Sequence, residues 1–303
     1  MNAQAAVVPI LPAIQLKRIL YATDFSDASR KALPVVAALA RKYHAKVFVA
    51  HIWSPVPFIM PTPEAVTALE QRQEHEVRQD AEEFARSPEL SGIETEIVTA
   101  PGAPKDELKR IVHDCNIDLA ILSTHGRTGF KHLMMGSVAE ELFRNLSCPV
   151  LTVGPHIASR FTENTPIREI LFATDLSPES GTVFPFLAAL AAEYDARITV
   201  LHVLPEETGT NPDLRRLSTP LREHMEQLFR PQADPACKLD FVIDCGDSAE
   251  KILAYARCLN AELIGFGVRH ASDITTHLQK TVTYRVVMQA ECPVLTARGK
   301  AKW

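Results

Sequence analysis

The densest chemistry in the chain lies in one run, Ser123-Thr124-His125-Gly126-Arg127-Thr128-Gly129-Phe130-Lys131-His132-Leu133-Met134-Met135-Gly136-Ser137. Three glycines within eleven residues let a backbone pass close to a ligand and turn N–H groups towards it. An apolar helix pattern follows from Ser137, and a helix N-terminus favours a phosphate. Arg127, Lys131 and His132 make the loop locally cationic in a chain of formal net charge −5. Phosphate binding is the chemistry this pattern suits. Capping alone accounts for part of it, because Ser137-Val138-Ala139-Glu140 is a capping box. On the residues alone, both readings stand.

Elements that would position such a loop can be read on either side. Lys17 to Tyr21 is a short apolar run with helix signals beginning at Ser26, and Val47 to Ile52 reads as a second strand. Thr62-Pro63-Glu64 opens a long charged helix to about Arg86, with Val66, Leu69, Val77, Ala81 and Phe84 as its buried stripe. Ile93 to Thr99 alternates like a strand near an edge. Lys105 to Cys115 reads as a helix, Leu119 to Ser123 as a fourth strand and Pro149 to Val153 as a fifth. Continuous apolar strands alternating with helices predict a parallel sheet covered on both faces, the doubly wound α/β class. In that class ligands bind beyond the carboxyl ends of the strands. Ala22-Thr23-Asp24, His51-Ile52 and the loop from Ser123 all fall there.

The chain repeats this grammar. Ile19-Leu20-Tyr21-Ala22-Thr23-Asp24-Phe25-Ser26 returns as Ile170-Leu171-Phe172-Ala173-Thr174-Asp175-Leu176-Ser177, at an offset of 151. The offset persists through Pro34/Pro185, Tyr43/Tyr194 and His51/His202. Cys148-Pro149-Val150-Leu151-Thr152 returns as Cys292-Pro293-Val294-Leu295-Thr296 at an offset of 144, so the second copy is seven residues shorter. The loss falls between His202 and Gly246. Self-similarity at this length means a duplicated domain, here residues 1–155 and 166–303, each a five-stranded, Rossmann-like unit. In the second copy Ser177-Pro178-Glu179 reads as a helix start with serine as cap, proline at the first position and an acid in the first turn.

Composition narrows the function classes. The chain has 303 residues, 46% hydrophobic and 23% charged, as a folded globular protein does. A slightly acidic balance gives no basic field for nucleic acid or an anionic membrane. No apolar run reaches the length of a membrane span. The apolar start (Ala5, Val7, Val8, Ile10, Leu11) has no preceding Lys or Arg and reads as an arm rather than a secretion signal. Six irregularly spaced cysteines without a CxxC read as reduced thiols, with a cytoplasmic location as the expectation.

With these residues in place, the chain resembles the universal stress protein family. The family's nucleotide loop, Gly-x2-Gly-x9-Gly-Ser/Thr, maps onto Ser123-x2-Gly126-x9-Gly136-Ser137, followed by the Cys148-Pro149-Val150 strand. Ala22-Thr23-Asp24-Phe25-Ser26 looks like the family's first-strand exit and His51-Ile52 like its second. The resemblance covers both halves, a tandem form. It implies ATP, with adenine and ribose near Asp24 and Ile52 and the phosphates over Gly126, Gly136 and Ser137, with a divalent ion such as Mg2+ or Mn2+. Ala22, Thr23, Ser123, Arg127 and Val138 complete the expected nucleotide-binding residues. It also implies pairing of Pro149 to Val153 with Pro293 to Ala297, an internal pseudo-dimer, and leaves association of two whole chains open.

Departures from the family pattern carry expectations of their own. Ser123 replaces the first loop glycine, a strained choice if that position needs a positive φ. In the second copy Gly267 is present, but His270 and Lys280 replace the other two glycines. That copy is expected to keep the fold and to have lost triphosphate binding. His51 and His202 recur in both copies and are expected to pack or to make a structural hydrogen bond. No Walker A loop, HExxH or nucleophile elbow appears, so an ATP-binding regulatory module is the leading reading, with at most slow ATP hydrolysis. A nucleotide-independent scaffold is the alternative.

Overall fold

The computed structural model describes residues 14–55, 62–124, 146–154, 157, 167–205, 211–268 and 281–298. In the first copy strands β1 (Arg18–Ala22), β2 (Lys46–Trp53), β3 (Thr95–Pro101), β4 (Leu119–Ser123) and β5 (Val150–Val153) are joined through helices α1 (Asp27–Arg30), α2 (Leu33–Tyr43), α3 (Pro63–Ala85) and α4 (Pro104–Asp114). The second copy supplies β6 (Glu169–Ala173), β7 (Arg197–Leu204), β8 (Lys238–Cys245), β9 (Leu263–Val268) and β10 (Val294–Arg298). Its helices are α5 (Phe184–Tyr194), α6 (Asn211–Phe229), α7 (Ser248–Leu259) and α8 (Val282–Gln289).

Within each copy all pairings are parallel, in the orders β3-β2-β1-β4-β5 and β8-β7-β6-β9-β10. The two orders are the same and doubly wound. They fuse into one ten-stranded sheet, because β5 and β10 pair antiparallel with Leu151 opposite Leu295. Successive β1 residues show why a continuous apolar run is needed: Ile19 and Tyr21 enter one core, Leu20 the other, and all three are fully buried. Each core runs through both copies; one joins Leu39, Leu119 and Leu151 to Leu190, Leu263 and Leu295. Thr152 Oγ1 donates to the Val294 carbonyl at 3.1 Å and Thr296 Oγ1 to the Val150 carbonyl at 3.3 Å, a reciprocal pair across the seam.

Repeated caps fix the element ends. His44 and Asp195 close α2 and α5 in the left-handed conformation (φ 50° and 51°), and Asn116 and Asn260 do the same after α4 and α7. Asp118 Oδ2 accepts from the Lys17 and Arg18 amides at 2.8 and 2.9 Å; Glu262 Oε2 does so from Arg168 and Glu169 at 3.0 and 2.8 Å. Packing differs where the copies exchange volume. The second copy has Gly265 where the first has Ile121, and Leu187 where it has Val36; a Cβ on Gly265 would sit 2.3 Å from a Leu187 methyl carbon.

Three expectations are corrected. The helix foreseen from Ser26 is only the single turn α1, and α2 restarts at Leu33, because Pro34 has no N–H for the i−4 carbonyl. In the second copy, Ser177-Pro178-Glu179 opens not a helix but a turn and the 3-10 segment Ser180–Val183, ahead of α5 with Pro185 in its first turn. The stripe foreseen on α3 is buried only at Ala81 and Phe84; Val66, Leu69 and Val77 are half-exposed. β3 lies at the sheet edge, as its alternation suggested. None of the six cysteines is in a disulfide, and burial pushes the Cys148 thiol up to about 12.

The seam yields a direct test. Leu151→Ala and Leu295→Ala should each cost about 2–5 kcal/mol in chemical denaturation. Because the two side chains face each other, the double variant should lose less than the sum.

Candidate functional site

The chain winds outwards from β1 through β2 to β3, then returns to β4 on the other side of β1. The carboxyl ends of β1 and β4, with Ala22 opposite Leu122, therefore form the switch-point crevice of the first copy. Ala22 ends β1, and Thr23 and Asp24 follow it. Ser123 ends β4, and Ile52 stands one residue from the end of β2. These five residues, separate in sequence, share the mouth of three neighbouring strands. Gly126, Arg127, Gly136, Ser137 and Val138 lie outside the described residues, as do His270 and Lys280.

A hydrogen-bonded elbow shapes the exit from β1. Thr23 Oγ1 bonds Ser29 Oγ at 2.9 Å and accepts from the Phe25 amide at 3.0 Å. That bond supports Phe25 at φ 62°, an unusual conformation for a side-chain-bearing residue. Asp24 Oδ1 accepts from the Ser26 amide at 3.1 Å and the Ser26 hydroxyl at 2.6 Å. Ser26 Oγ then caps α1 by accepting from the Ser29 amide at 3.2 Å. His51 Nδ1 lies 2.7 Å from the Thr23 carbonyl, so Nδ1 carries the proton, and its ring packs 4.4 Å from that of Phe25. This is the structural hydrogen bond expected of His51. Underneath, Phe84 touches the rings of Tyr21 and Phe25, with the Arg30 guanidinium 4.7 Å above it. The Tyr21 hydroxyl donates to the Ser29 carbonyl, and burial holds its pKa far above the usual phenol value.

The second copy rebuilds the same elbow. Thr174 Oγ1 bonds Ser180 Oγ at 2.8 Å, the Leu176 amide bonds Thr174 Oγ1 at 3.0 Å, and Leu176 has φ 61°. Asp175 Oδ1 accepts from Ser177 N and Oγ at 3.0 and 2.5 Å, and His202 Nδ1 lies 2.8 Å from the Thr174 carbonyl. The sequence repeat carries Thr, Asp, Ser and His; it also carries Ser29/Ser180 at the same offset of 151, a signal the sequence reading did not use for the buried partners of the threonines.

One difference between the two mouths lies where β4 and β9 reach them, at position 123/267. Ser123 is not among the residues of positive φ, so serine in place of the family glycine carries no backbone strain; its hydroxyl donates to the Ala28 carbonyl at 3.3 Å. Its counterpart Gly267 is obligatory. A Cβ there would lie 2.2 Å from the Glu179 carbonyl oxygen and 2.3 Å from the Ser180 Cα, because that turn lies directly against β9. The first copy also buries the indole of Trp53, whose Nε1 has no hydrogen-bond partner among the described residues; the repeat places Leu204 at this point in the second.

A clamp that sequence reading missed marks the second copy. Asp247 caps α7 by accepting from the Glu250 amide at 2.9 Å, and Arg285 of α8 reaches it at 2.6 Å and Glu250 at 3.7 Å. The Arg285 bond holds the Asp247 carboxyl below its usual value. The first copy has Ala103 in place of Asp247. Among the described residues no cluster of His, Cys, Asp and Glu is arranged to hold a metal, and no helix is long and apolar enough to cross a membrane.

The model of the universal stress protein family matches twice, over residues 15–154 and 166–298. The chain belongs to the universal stress protein family. It carries the family's α/β domain in tandem. Universal stress protein MJ0531 of Methanocaldococcus jannaschii is 27% identical over 138 residues, 45% of this chain and 81% of that protein. A universal stress protein of Archaeoglobus fulgidus superposes over 96% of this chain and 99% of its own with a TM-score of 0.72 and 20% identity, a likeness of fold along the whole tandem. A universal stress protein solved in complex with cAMP aligns with 47% of this chain at 22% identity and a TM-score of 0.32.

Gly267→Ser should destabilise the protein by about 3 kcal/mol in urea denaturation, since the turn backbone must shift to admit a side chain, whereas Ser123→Gly should stay within about 1 kcal/mol. Arg285→Gln tests the clamp. A depressed folded-state pKa stabilises above the unfolded value of 3.8, and that share is lost as pH falls through the folded value. The margin of the natural protein over Arg285→Gln should thus be constant at neutral pH and shrink below about pH 4 in a denaturation series.

Proposed function

We propose that this family member is a nucleotide-binding regulatory protein whose first copy holds one ATP and whose second copy is structural. The observation that carries this reading is the convergence of Ala22, Thr23, Asp24, Ile52 and Ser123 on the β1–β4 switch-point crevice. The elbow presents the Asp24 carboxylate beside that crevice, suited to a ribose hydroxyl. From Ser123 the chain runs directly into the glycine loop, so Gly126, Arg127, Gly136, Ser137 and Val138 would cradle the phosphates, and Mg2+ or Mn2+ would offset their charge. Trp53 supports the fit, because a buried donor with no partner among the described residues, next to Ile52, is unusual and occurs in the copy whose loop keeps Gly126 and Gly136.

In the second copy, His270 and Lys280 replace loop glycines. We further propose that the two copies act as an internal pseudo-dimer through β5 and β10, and that the protein works in the cytoplasm. No residue is assigned a catalytic role; hydrolysis of bound Mg-ATP would be slow. One observation favours a nucleotide-independent scaffold instead: the elbow stands complete in the second copy without the glycine loop.

Nucleotide content separates these readings. Protein incubated with Mg-ATP, desalted and denatured should release about one ATP per chain. Gly136→Leu should abolish that release while leaving the melting temperature within about 2 °C of the natural protein. Near two ATP per chain would return binding to the second copy. None, with no heat of binding at millimolar ATP, would leave the scaffold.

A further inference from the structure

The β5–β10 seam joins two strands of nearly the same sequence. Val150, Leu151 and Thr152 face Thr296, Leu295 and Val294, and the two threonines donate across it in the same way. Nothing in that ladder distinguishes a pairing of unlike copies from a pairing of like ones. A second copy of β5 would offer β5 the same residues as β10 does, and a second chain could supply it.

The helix ends beside the seam do distinguish them. Lys42 and Tyr43 close α2, and Glu193 and Tyr194 occupy the equivalent positions of α5 at the offset of 151. These ends meet. Tyr43 donates to Glu193 Oε2 at 2.5 Å, Lys42 Nζ lies 3.9 Å from the same oxygen, and that ammonium stands 3.8 Å above the Tyr194 ring. Lys42 and Glu193 are only 30% and 26% exposed, so solvent screens them less than an open surface pair. Burial and the adjacent Glu193 push the Tyr43 hydroxyl above its usual range, which keeps it a donor.

We propose that the opposite charges at positions 42 and 193 select the pairing of unlike copies, so that the surface beside each last strand accepts the other copy and rejects its own kind. Pairing first copy with first copy would bring two lysines together at this point, and second with second two glutamates. The partner this surface fits is the other half of the same chain. The inference rests on the paired-copy part of the reading above and is independent of the nucleotide.

Single reversals in the full chain reproduce the rejected pairings. Lys42→Glu sets two carboxylates face to face, as two second copies would, and Glu193→Lys sets two ammonium groups, as two first copies would. Lys42→Ala removes the attraction without adding repulsion. In thermal melts, Lys42→Glu and Glu193→Lys should each lower Tm by about 3–6 °C, and Lys42→Ala by less. The double reversal should recover the natural Tm, because it rebuilds the same contacts reflected across the seam: Tyr194 donates to the new carboxylate, and the new ammonium covers the Tyr43 ring. Equal losses for Lys42→Ala and Lys42→Glu would overturn the charge selection and leave the pairing. A double variant that falls by the sum of the singles would overturn it too. No change in any variant would overturn it as well, because the two charges would then carry no weight where the copies meet.

Discussion

A β-strand at the edge of a sheet leaves a row of N–H and C=O groups without partners, and such an edge is both costly to bury and prone to pair with another chain. Each copy of this protein ends its winding on such a strand, short and flanked by apolar surface. Pairing β5 with β10 removes two edges at once. The consequences reach far: the two sheets become one, and each helix layer covers a core common to both copies. The outermost strands become β3 and β8, far from the seam. Because the pairing is antiparallel, the two copies are related by an approximate twofold axis near Leu151 and Leu295. Equivalent residues therefore meet across it, and chemical differences between the copies become energetic differences at the seam.

The elbows at the carboxyl ends depend on this frame in another way. Thr23, Ser26, Ser29 and His51 form one satisfied network, and Thr174, Ser177, Ser180 and His202 form its duplicate. A network that persists where the adjoining loop has His270 and Lys280 in place of glycines is first of all a way to hold the chain at positive φ on leaving the strand. Ligand chemistry, where it exists, is added to that scaffold. The same division appears at position 123/267: in one copy a serine hydroxyl fills the space between strand and turn, in the other the turn backbone occupies it. The second mouth is further tied by Arg285 to the start of α7, a contact with no counterpart at Ala103.

Much of this was legible in the chain. The repeat exposed the duplication, because two copies under the same packing constraints keep the same residues at the same spacing. Continuous apolar strands flanked by helices pointed to the parallel, doubly wound fold, since burial on both faces leaves no room for alternation. The recurrence of a histidine near the end of the second strand in both copies points to a structural role for a similar reason, and the Thr23 and Thr174 carbonyls are the partners. Local signals misled where proline was involved: a serine cap before Pro178 looks like a helix start, yet a proline further on leaves the i−4 carbonyl without its donor and breaks the run. On α3 the periodic apolar residues ran beyond the part of the helix that the sheet covers, so Val66 and Leu69 remain half-exposed.

The sequence by itself determined the elements, their order, their duplication and the residue types at each strand exit, because these follow from local propensity and from the period of burial. It also determined the family, whose motif is a spacing. Tertiary structure decided what depends on distance between residues far apart in the chain. Ser29 answers Thr23, a glycine is forced at 267 but not at 123, and Arg285 finds Asp247. Only the folded chain brings Lys42 to Glu193 across a seam whose strands are indifferent to their partners. Packing density and hydrogen-bond geometry are properties of neighbours in space, and spacing along the chain fixes those neighbours only once the sheet order is known.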